Sequence, residues 1–492
     1  MPMHLNNGTL RDLPKDVAVP AYDRSALKPG VLHIGVGNFH RAHQAYYLDR
    51  LFNEGIDHDW GIVGSGIMPG DAAMRGRLEK QDWMSTIVEL DPGGYSARVC
   101  GAMIGFAEIS APALIRAMVR PETRIVSLTV TEGGYFLDPH TGGFDLSHPS
   151  VQHDGAHPGD PQTVFGAIVA ALKWRRSHGV GPFTVMSCDN VPENGAVTRR
   201  AVIGLARMIA PELVGWIDDT VAFPNGMVDC ITPATGDRER AMVRERFGIE
   251  DDAVVACEPF RQWVLEDNFP FGRPSLEKVG VEFVDNVASY ELMKLRILNG
   301  GHAAIAYPSA LLGLSFAHEA MRTPIITAFL EKLETSEIIP TLPPVPGVDF
   351  LQYLRQTMGR FANPEIRDTI PRLCLDGSNR QPKFVLPTVL DRLKQGQPIQ
   401  GLALEVALWC RFCAGSDDQG NPLTVNDDAH ERLEEKARAA REDPRAFLSM
   451  TDILGPVAAD ETFVAAFSEK LGSLWKKGVI ATLEDYLGGA GS

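Results

Sequence analysis

Val31-Leu32-His33-Ile34-Gly35-Val36-Gly37-Asn38-Phe39-His40 is the stretch on which the fold turns. Four residues suited to a buried strand run directly into two glycines, and an amphipathic segment follows over residues 42–52. A dinucleotide site needs this context. The glycines permit a tight turn and close backbone approach, and the helix that opens next turns its positive end toward a pyrophosphate. The pattern is Gly35-x-Gly37-x-x-His40, with histidine in place of the third glycine, and a plain strand-to-helix turn has the same appearance. On the dinucleotide reading Gly35, Gly37, Asn38, Phe39 and His40 form the cofactor loop.

Outward from this loop the pattern repeats. Strand candidates lie at 60–65, 124–130, 182–187 and 254–256, each near a Gly, Pro or Asp boundary, with helical intervals such as 163–176 and 196–208. The alternation predicts an α/β domain of Rossmann type with a mostly parallel sheet. Beyond about Asp285 the character changes: 291–307, an apolar-faced 401–413 and a charged 427–441 all read as helices. Phe463, Phe467, Leu471 and Leu474 recur at helical spacing, with Lys476-Lys477-Gly478 as a helix end. The expected division is 1–285 for the dinucleotide-binding domain and 286–492 for a mainly α-helical substrate and catalytic domain.

The 492 residues carry 47 basic and 63 acidic side chains, a net charge of −16. That balance repels polyphosphate surfaces and argues against nucleic acid as a partner. No apolar run reaches membrane-spanning length, and the N-terminal stretch lacks the basic start and apolar core of a secretion signal. Seven cysteines without framework spacing suit a reducing compartment. The expectation is a cytoplasmic enzyme, monomeric or a small homo-oligomer.

Asp71, 36 positions after Gly35, is the only acid in 60–71 able to meet an adenosine ribose. A carboxylate there favours NAD over NADP, Arg75 and Arg77 keep NADP open, and Asp71 reads equally as a helix N-cap. Thr129-Val130-Thr131-Glu132-Gly133-Gly134-Tyr135 and Cys188-Asp189-Asn190 follow strands at their carboxyl ends, where open α/β sheets bind ligands. In Lys294-Leu295-Arg296-Ile297-Leu298-Asn299-Gly300-Gly301-His302, an α-helix sets Asn299 and His302 at about 140° and 80° from Lys294, within one broad face. A lysine, an amide and an imidazole there make a proton-transfer set, and equally a chance triple on a helix surface. Tyr290-x-x-x-Lys294 matches the pair of short-chain dehydrogenases, but 255 residues after Gly35 it reads as coincidence. His40 and His43 lack partners at metal spacing, so no metal site is assigned, and Cys410-x-x-Cys413 reads as core. Neither Gly-x-Ser-x-Gly nor a phosphate-binding Gly-Lys-Ser/Thr loop occurs.

Taken together, HIGVGNFHRAHQAYY, IVSLTVTEGGY, FTVMSCDN, CEPFRQWVLEDNF and the Lys294–Asn299–His302 stretch resemble the polyol-specific long-chain dehydrogenases, the mannitol dehydrogenase family, in order and over most of the chain. The resemblance implies a Rossmann-type domain, a helical domain and a site between them. It also implies hydride transfer, without metal, between a secondary alcohol of an open-chain polyol or its ketose and NAD(P). By position it makes Lys294 the general base, Asn190 and Asn299 the amides on the reacting oxygen, His302 a substrate-hydroxyl contact and Glu291 a carrier of the proton to solvent. Asp229 and Arg372 match substrate-contacting positions, joined by Arg380 or Lys383, and Thr131 and Glu132 fall with the cofactor loop residues. Cys230 stands where many relatives carry a basic residue, which bears on substrate choice. The implied activity is D-mannitol to D-fructose oxidation, extending to D-arabinitol or D-sorbitol. Fructuronate reduction is the alternative within the family, and a catalytically silent NAD-binding or sugar-sensing protein the alternative outside it.

Overall fold

The computed structural model describes residues 2–138 and 141–488, which form two compact units, Met1–Ala288 and Ser289–Ser492. In the first, five strands make a fully parallel sheet: β1 (Pro29–Ile34), β2 (Gly61–Ser65), β3 (Met103–Phe106), β4 (Ile125–Leu128) and β5 (Thr184–Ser187), in the order β3-β2-β1-β4-β5. That is the strand order of a dinucleotide-binding half, with the glycine strand at its centre. The register sets Val31 beside Ile62 and Ile125, and Leu32 beside Val63 and Val126. The period-2 alternation of side chains therefore splits the sheet between two cores. Leu32, Ile34, Val126 and Leu128 pack with Phe165, Ile168 and Leu172 of the helix Val164–Ser177. Val31, Ile62, Ile125 and Met186 pack with Leu48, Phe52 and Trp263 on the other face. Both faces are covered, as a parallel sheet requires.

The strand expected at 254–256 is Val255–Cys257, but it belongs to a separate four-stranded sheet with Ser85–Glu89, Ser96–Cys100 and Val17–Ala18. A three-stranded sheet joins Gly226–Asp229, Gln262–Glu266 and Glu282–Val284. A short α1 (Asn38–Ala42) opens at the glycine loop and stops at His43, whose φ of −122° and ψ of −82° are not helical, and the helix expected over 42–52 is the separate α2 (Gln44–Asn53).

The second unit is helical and built around Gln400–Cys413, in which every residue from Gly401 to Cys413 is buried rather than one face alone. Glu461–Gly488, His430–Ala439 and Pro324–Leu333 supply apolar side chains to the same core. Gly478 does interrupt the last helix (φ 78°, ψ −179°), yet the chain resumes its helical course to Gly488. The Asp418 carboxylate explains the restart, accepting the Val479 N–H at 2.7 Å and so capping the new first turn. Among the described residues no helix is long and apolar enough to cross a membrane.

The two loop glycines are under different constraints. Gly35 has φ +91°, and a Cβ there would lie 2.1 Å from the Thr129 carbonyl oxygen. At Gly37 φ is −88° and a Cβ would meet nothing nearer than 3.9 Å. Gly35→Ala should therefore cost about 2–4 kcal/mol of stability, and Gly37→Ala less than about 1 kcal/mol. Equal denaturant midpoints for the two variants would contradict this account.

Two histidines in the same region are buried without charge. His33 stacks on His40 at 3.4 Å and hydrogen-bonds Ser127 Oγ at 2.8 Å. His43 Nε2 donates to the Gln262 carbonyl at 2.9 Å while its Nδ1 accepts from Gln44. Burial pushes both imidazoles down to about 3 from 6.5. The unfolded chain takes up protons first, so each costs stability as pH falls below about 6.5, by up to about 1.4 kcal/mol per pH unit. His43→Gln keeps a donor to Gln262 and cannot titrate, so unfolding free energy plotted against pH between 6.5 and 5 should be shallower by about one proton. Parallel curves for wild type and variant would exclude this role.

Candidate functional site

The candidate residues fall on both units. In the first they surround the carboxyl ends of β1, β2, β4 and β5. Gly37 is exposed and caps α1, and the space a side chain would fill above it is open, so a ligand's pyrophosphate can approach the backbone there. Asn38 is fixed by a hydrogen bond of 2.7 Å from Arg41 to its Oδ1, and the Phe39 ring stacks on His43 at 4.9 Å. His40, in place of a third glycine, is buried against His33, and His33 Nε2 in turn meets Thr129 Oγ1 at 2.9 Å. The histidine thus braces the glycine loop from beneath.

Asp71 corrects one expectation. It is the first helical residue of Asp71–Glu79, and Gly70 occupies the N-cap. Its Oδ2 accepts the N–H groups of Ile67 and Met68, both at 3.0 Å, closing the turn that follows β2. Arg75 pairs with Glu79 at 3.2 Å and lies over Trp83.

Thr131 and Glu132 are exposed at the end of β4, and Thr131 holds φ +66°. A β-branched residue takes that conformation only when its surroundings impose it. Asp189, which sequence reasoning passed over in favour of its neighbour, does so. Its carboxylate accepts the Val130 and Thr131 N–H groups at 2.9 Å each and the Tyr135 hydroxyl at 2.7 Å. Burial raises the Asp189 pKa, opposed by these donors. Asn190 follows it, exposed, beyond the end of β5. Asp229 is buried at the end of its strand, paired in register with Gln262. Cys230 is buried with its thiol against Cys257. All seven cysteines are buried free thiols.

In the second unit the lysine stretch departs from the α-helix assumed above. The short helix Ala288–Met293, which carries half-buried Glu291, passes into a π-helical turn over Lys294–Asn299 and then into Gly300–Leu311. Hydrogen bonding from i to i+5 widens the turn, so Lys294 and Asn299 lie about one turn apart and on the same side rather than 140° apart. Both are buried, at 7% and 8% exposure. The turn also buries Arg296, which donates to Thr341 Oγ1 at 2.6 Å and pairs with Asp391 at 2.5 Å.

His302, one helical turn on, stacks on Phe361 at 4.1 Å. Burial, with the positive charges of Arg372, Arg360, Arg380 and Lys294, holds its pKa well below 6.5. A neutral imidazole offers one donor and one acceptor. Arg372 is anchored by Asp368, with Nε to Oδ1 at 2.6 Å and Nη2 to Oδ2 at 2.5 Å, and the same carboxylate lies 3.9 Å from His302 Nε2. Arg380 Nη1 donates to the Leu373 carbonyl at 3.0 Å, and Lys383 is exposed. The structure thus gathers Lys294, Asn299, His302, Arg372 and Arg380 into one electrostatic neighbourhood. Asp368, absent from the sequence reading, organises its cationic edge. Among the described residues no group of three or more His, Cys, Asp or Glu side chains is placed to hold a metal.

Comparison with known proteins follows the same division. Residues 29–278 match the mannitol dehydrogenase Rossmann domain and residues 286–475 the mannitol dehydrogenase C-terminal domain. The chain is 55% identical over 475 residues to a mannitol 2-dehydrogenase of Cereibacter sphaeroides, covering 96% of this chain and 99% of that one. It is 40% identical over 499 residues to a mannitol 2-dehydrogenase of Aspergillus fumigatus, with 99% of each covered. Among solved structures it is similar to Pseudomonas fluorescens mannitol 2-dehydrogenase in ternary complex with NAD and D-mannitol, with a TM-score of 0.89, 44% identity and coverage of 99% and 100%. A substrate-free D-sorbitol dehydrogenase is similar at the same TM-score, with 33% identity and coverage of 98% and 100%. With both domain types matched in order and near-complete coverage of relatives, the chain belongs to the mannitol dehydrogenase family.

Proposed function

We propose that this chain is an NAD-dependent polyol dehydrogenase that oxidises D-mannitol to D-fructose, with D-sorbitol and D-arabinitol as the related polyols to compare. The observation that carries the reading is the burial of Lys294 and Asn299 on one π turn beside a neutral His302, in a chain similar throughout to an enzyme solved with NAD and D-mannitol. Bound NAD supplies the acceptor for the hydride leaving the carbinol carbon. In this proposal Lys294 takes the hydroxyl proton, acting as the free amine. Asn299, and Asn190 on the first unit, donate to the oxygen as it gains negative charge. Glu291, one turn before Lys294, passes the proton onward. His302 meets a neighbouring hydroxyl, and Asp229, Arg372, Arg380 and Lys383 satisfy others, since a buried hydroxyl left unpaired weakens binding.

For the cofactor, the open space over Gly37 and the loop residues Gly35, Asn38, Phe39 and His40 support a pyrophosphate cradle. We assign Asp71 to the adenosine ribose, with Thr131 and Glu132 along the same rim. Preference for NAD over NADP is supported by the carboxylate of Asp71 and by Arg75, whose charge is committed to Glu79.

One observation supports a neutral polyol over a uronate. A substrate carboxylate needs a cation to receive it, but Arg372 is already neutralised by the bidentate Asp368 and Arg380 is turned onto a backbone carbonyl. That supports mannitol over mannonate, with the exposed Lys383 the cation at this edge that a carboxylate would have to use. Asp368→Asn, which releases Arg372, should raise the mannitol KM and narrow the mannitol-to-mannonate ratio of kcat/KM by tenfold or more, about 1.4 kcal/mol. An unchanged ratio would remove Arg372 from the substrate site.

Lys294→Ala should lower turnover by about 10²- to 10⁴-fold with NAD affinity nearly intact. Asn299→Ala should slow oxidation and reduction alike, because it stabilises an oxygen common to both directions. Initial rates at 340 nm, with NAD binding followed separately, test both. Near wild-type turnover in Lys294→Ala would overturn the proposed base, and NAD binding without turnover of any polyol in the wild type would favour the silent sensor.

A further inference from the structure

Deep in the helical unit a carboxyl group is buried with almost nothing to hold it. Glu405 lies in the middle of Gln400–Cys413 at 1% exposure. Its Oε1 accepts one hydrogen bond, from Gln381 Nε2 at 2.7 Å, and its Oε2 makes none. Gln381, equally buried, belongs to the helix Gly377–Phe384, which also carries Arg380 and Lys383. The Tyr307 hydroxyl, on the helix Gly300–Leu311 that carries His302, belongs to the same cluster, near enough to Glu405 and Gln381 to feel both. Gly377 shows how tightly the three elements meet, since a Cβ there would lie 2.5 Å from Trp409 Nε1 and 3.1 Å from the Tyr307 oxygen.

A buried, partly satisfied acid costs stability that an apolar residue would not. Here it fastens the helix of Arg380 to the scaffold through a single amide. We propose that Glu405, acting through Gln381, is a positioning residue that sets the helix of Arg380 and Lys383 for substrate binding, so that ionising Glu405 weakens polyol binding. The inference rests on the reading of Arg380 as a substrate contact.

The surroundings give the direction. The groups around the cluster are the Tyr307 hydroxyl, Gln381 and the thiols of Cys374 and Cys413. The helix of Glu405 itself runs through the apolar core of this unit, to which Phe463, Phe467, Phe329 and Leu433 also belong. Burial, eased only by Gln381, raises the Glu405 pKa to about 8. Above that value the carboxylate tightens on the Gln381 amide it already holds and draws a further donor toward its unpaired Oε2, shifting the helix of Arg380 from the position set by the neutral acid.

The test is the polyol KM as a function of pH, with NAD saturating. In the wild type KM should rise between pH 8 and 9.5, by up to roughly tenfold per unit. Glu405→Gln keeps the shape and cannot ionise, so its KM should stay within about threefold of wild type at pH 7 and lose the alkaline rise. Gln381→Leu should raise the polyol KM about tenfold at pH 7 and leave the NAD KM within about twofold. The same alkaline rise in Glu405→Gln as in wild type overturns the inference, as does an unaltered KM in Gln381→Leu. Should Gln381→Leu fail to fold, Glu405→Gln decides alone. Arg380→Ala separates the two levels. An unchanged polyol KM there overturns the substrate reading and the inference with it. A raised KM there, beside an unflattened Glu405→Gln profile, overturns the positioning role alone.

Discussion

An ionisable side chain carried into an apolar core must shed its charge or find a partner. That constraint shapes most of what matters in this chain. His33 and His43 meet it by remaining neutral, which lets them act as hydrogen-bonding struts beneath the glycine loop. Asp189 meets it with three donors, and in doing so imposes on Thr131 a backbone angle the residue would otherwise avoid. Arg296 meets it with Asp391 and thereby seats the π-helical turn of Lys294. Thr131 and the turn of Lys294 are thus each set by a neighbour that solved this problem.

The division of labour between the units follows from the types of secondary structure they use. A parallel sheet covered on both faces leaves only its strand ends open, and there the loops after β1, β2, β4 and β5 present backbone N–H groups and short polar side chains. A helical unit has no such rim. It displays chemistry on helix faces, so long side chains such as Lys294, His302 and Arg372 carry its part of the proposed reaction. The first unit offers a cradle, the second a set of reaching groups.

Much of this was legible in the residues themselves. The order Val31 to His40 states strand, turn and helix in ten positions, because hydrophobic strand residues and glycines each act locally. Four of the five parallel strands announced themselves in the same way, whereas Met103–Phe106, with a glycine in its four residues, did not. For Lys294, Asn299 and His302 the spacing left a chance triple open, and the family resemblance singled them out. Their supports were not. Asp189, Asp368 and Glu405 are single acids in segments where an acid is ordinarily solvated, and only tertiary packing makes them buried. The two-helix entry at His43 and the π turn at Lys294 were equally hidden, since a 3.6-residue period reads almost the same when one turn holds an extra residue. Asp71 shows the reverse limit, its type read correctly and its helix position one residue off the cap.

The π turn has a consequence for how such a site can be inherited. A turn closed from i to i+5 holds one residue more than an α turn, so it is equivalent to a single-residue insertion accommodated within a helix. Loss of one codon between Lys294 and Asn299 would restore regular α-helical bonding and leave the protein able to fold. It would also leave the amide four and the imidazole seven residues beyond Lys294, about 40° and 20° away around an α-helix, so that all three stay on one face. The turn therefore carries its extra residue without cost to the alignment. A lineage could gain or lose that residue and still hold lysine and amide together, provided the buried positions corresponding to Ile297 and Leu298 stay apolar.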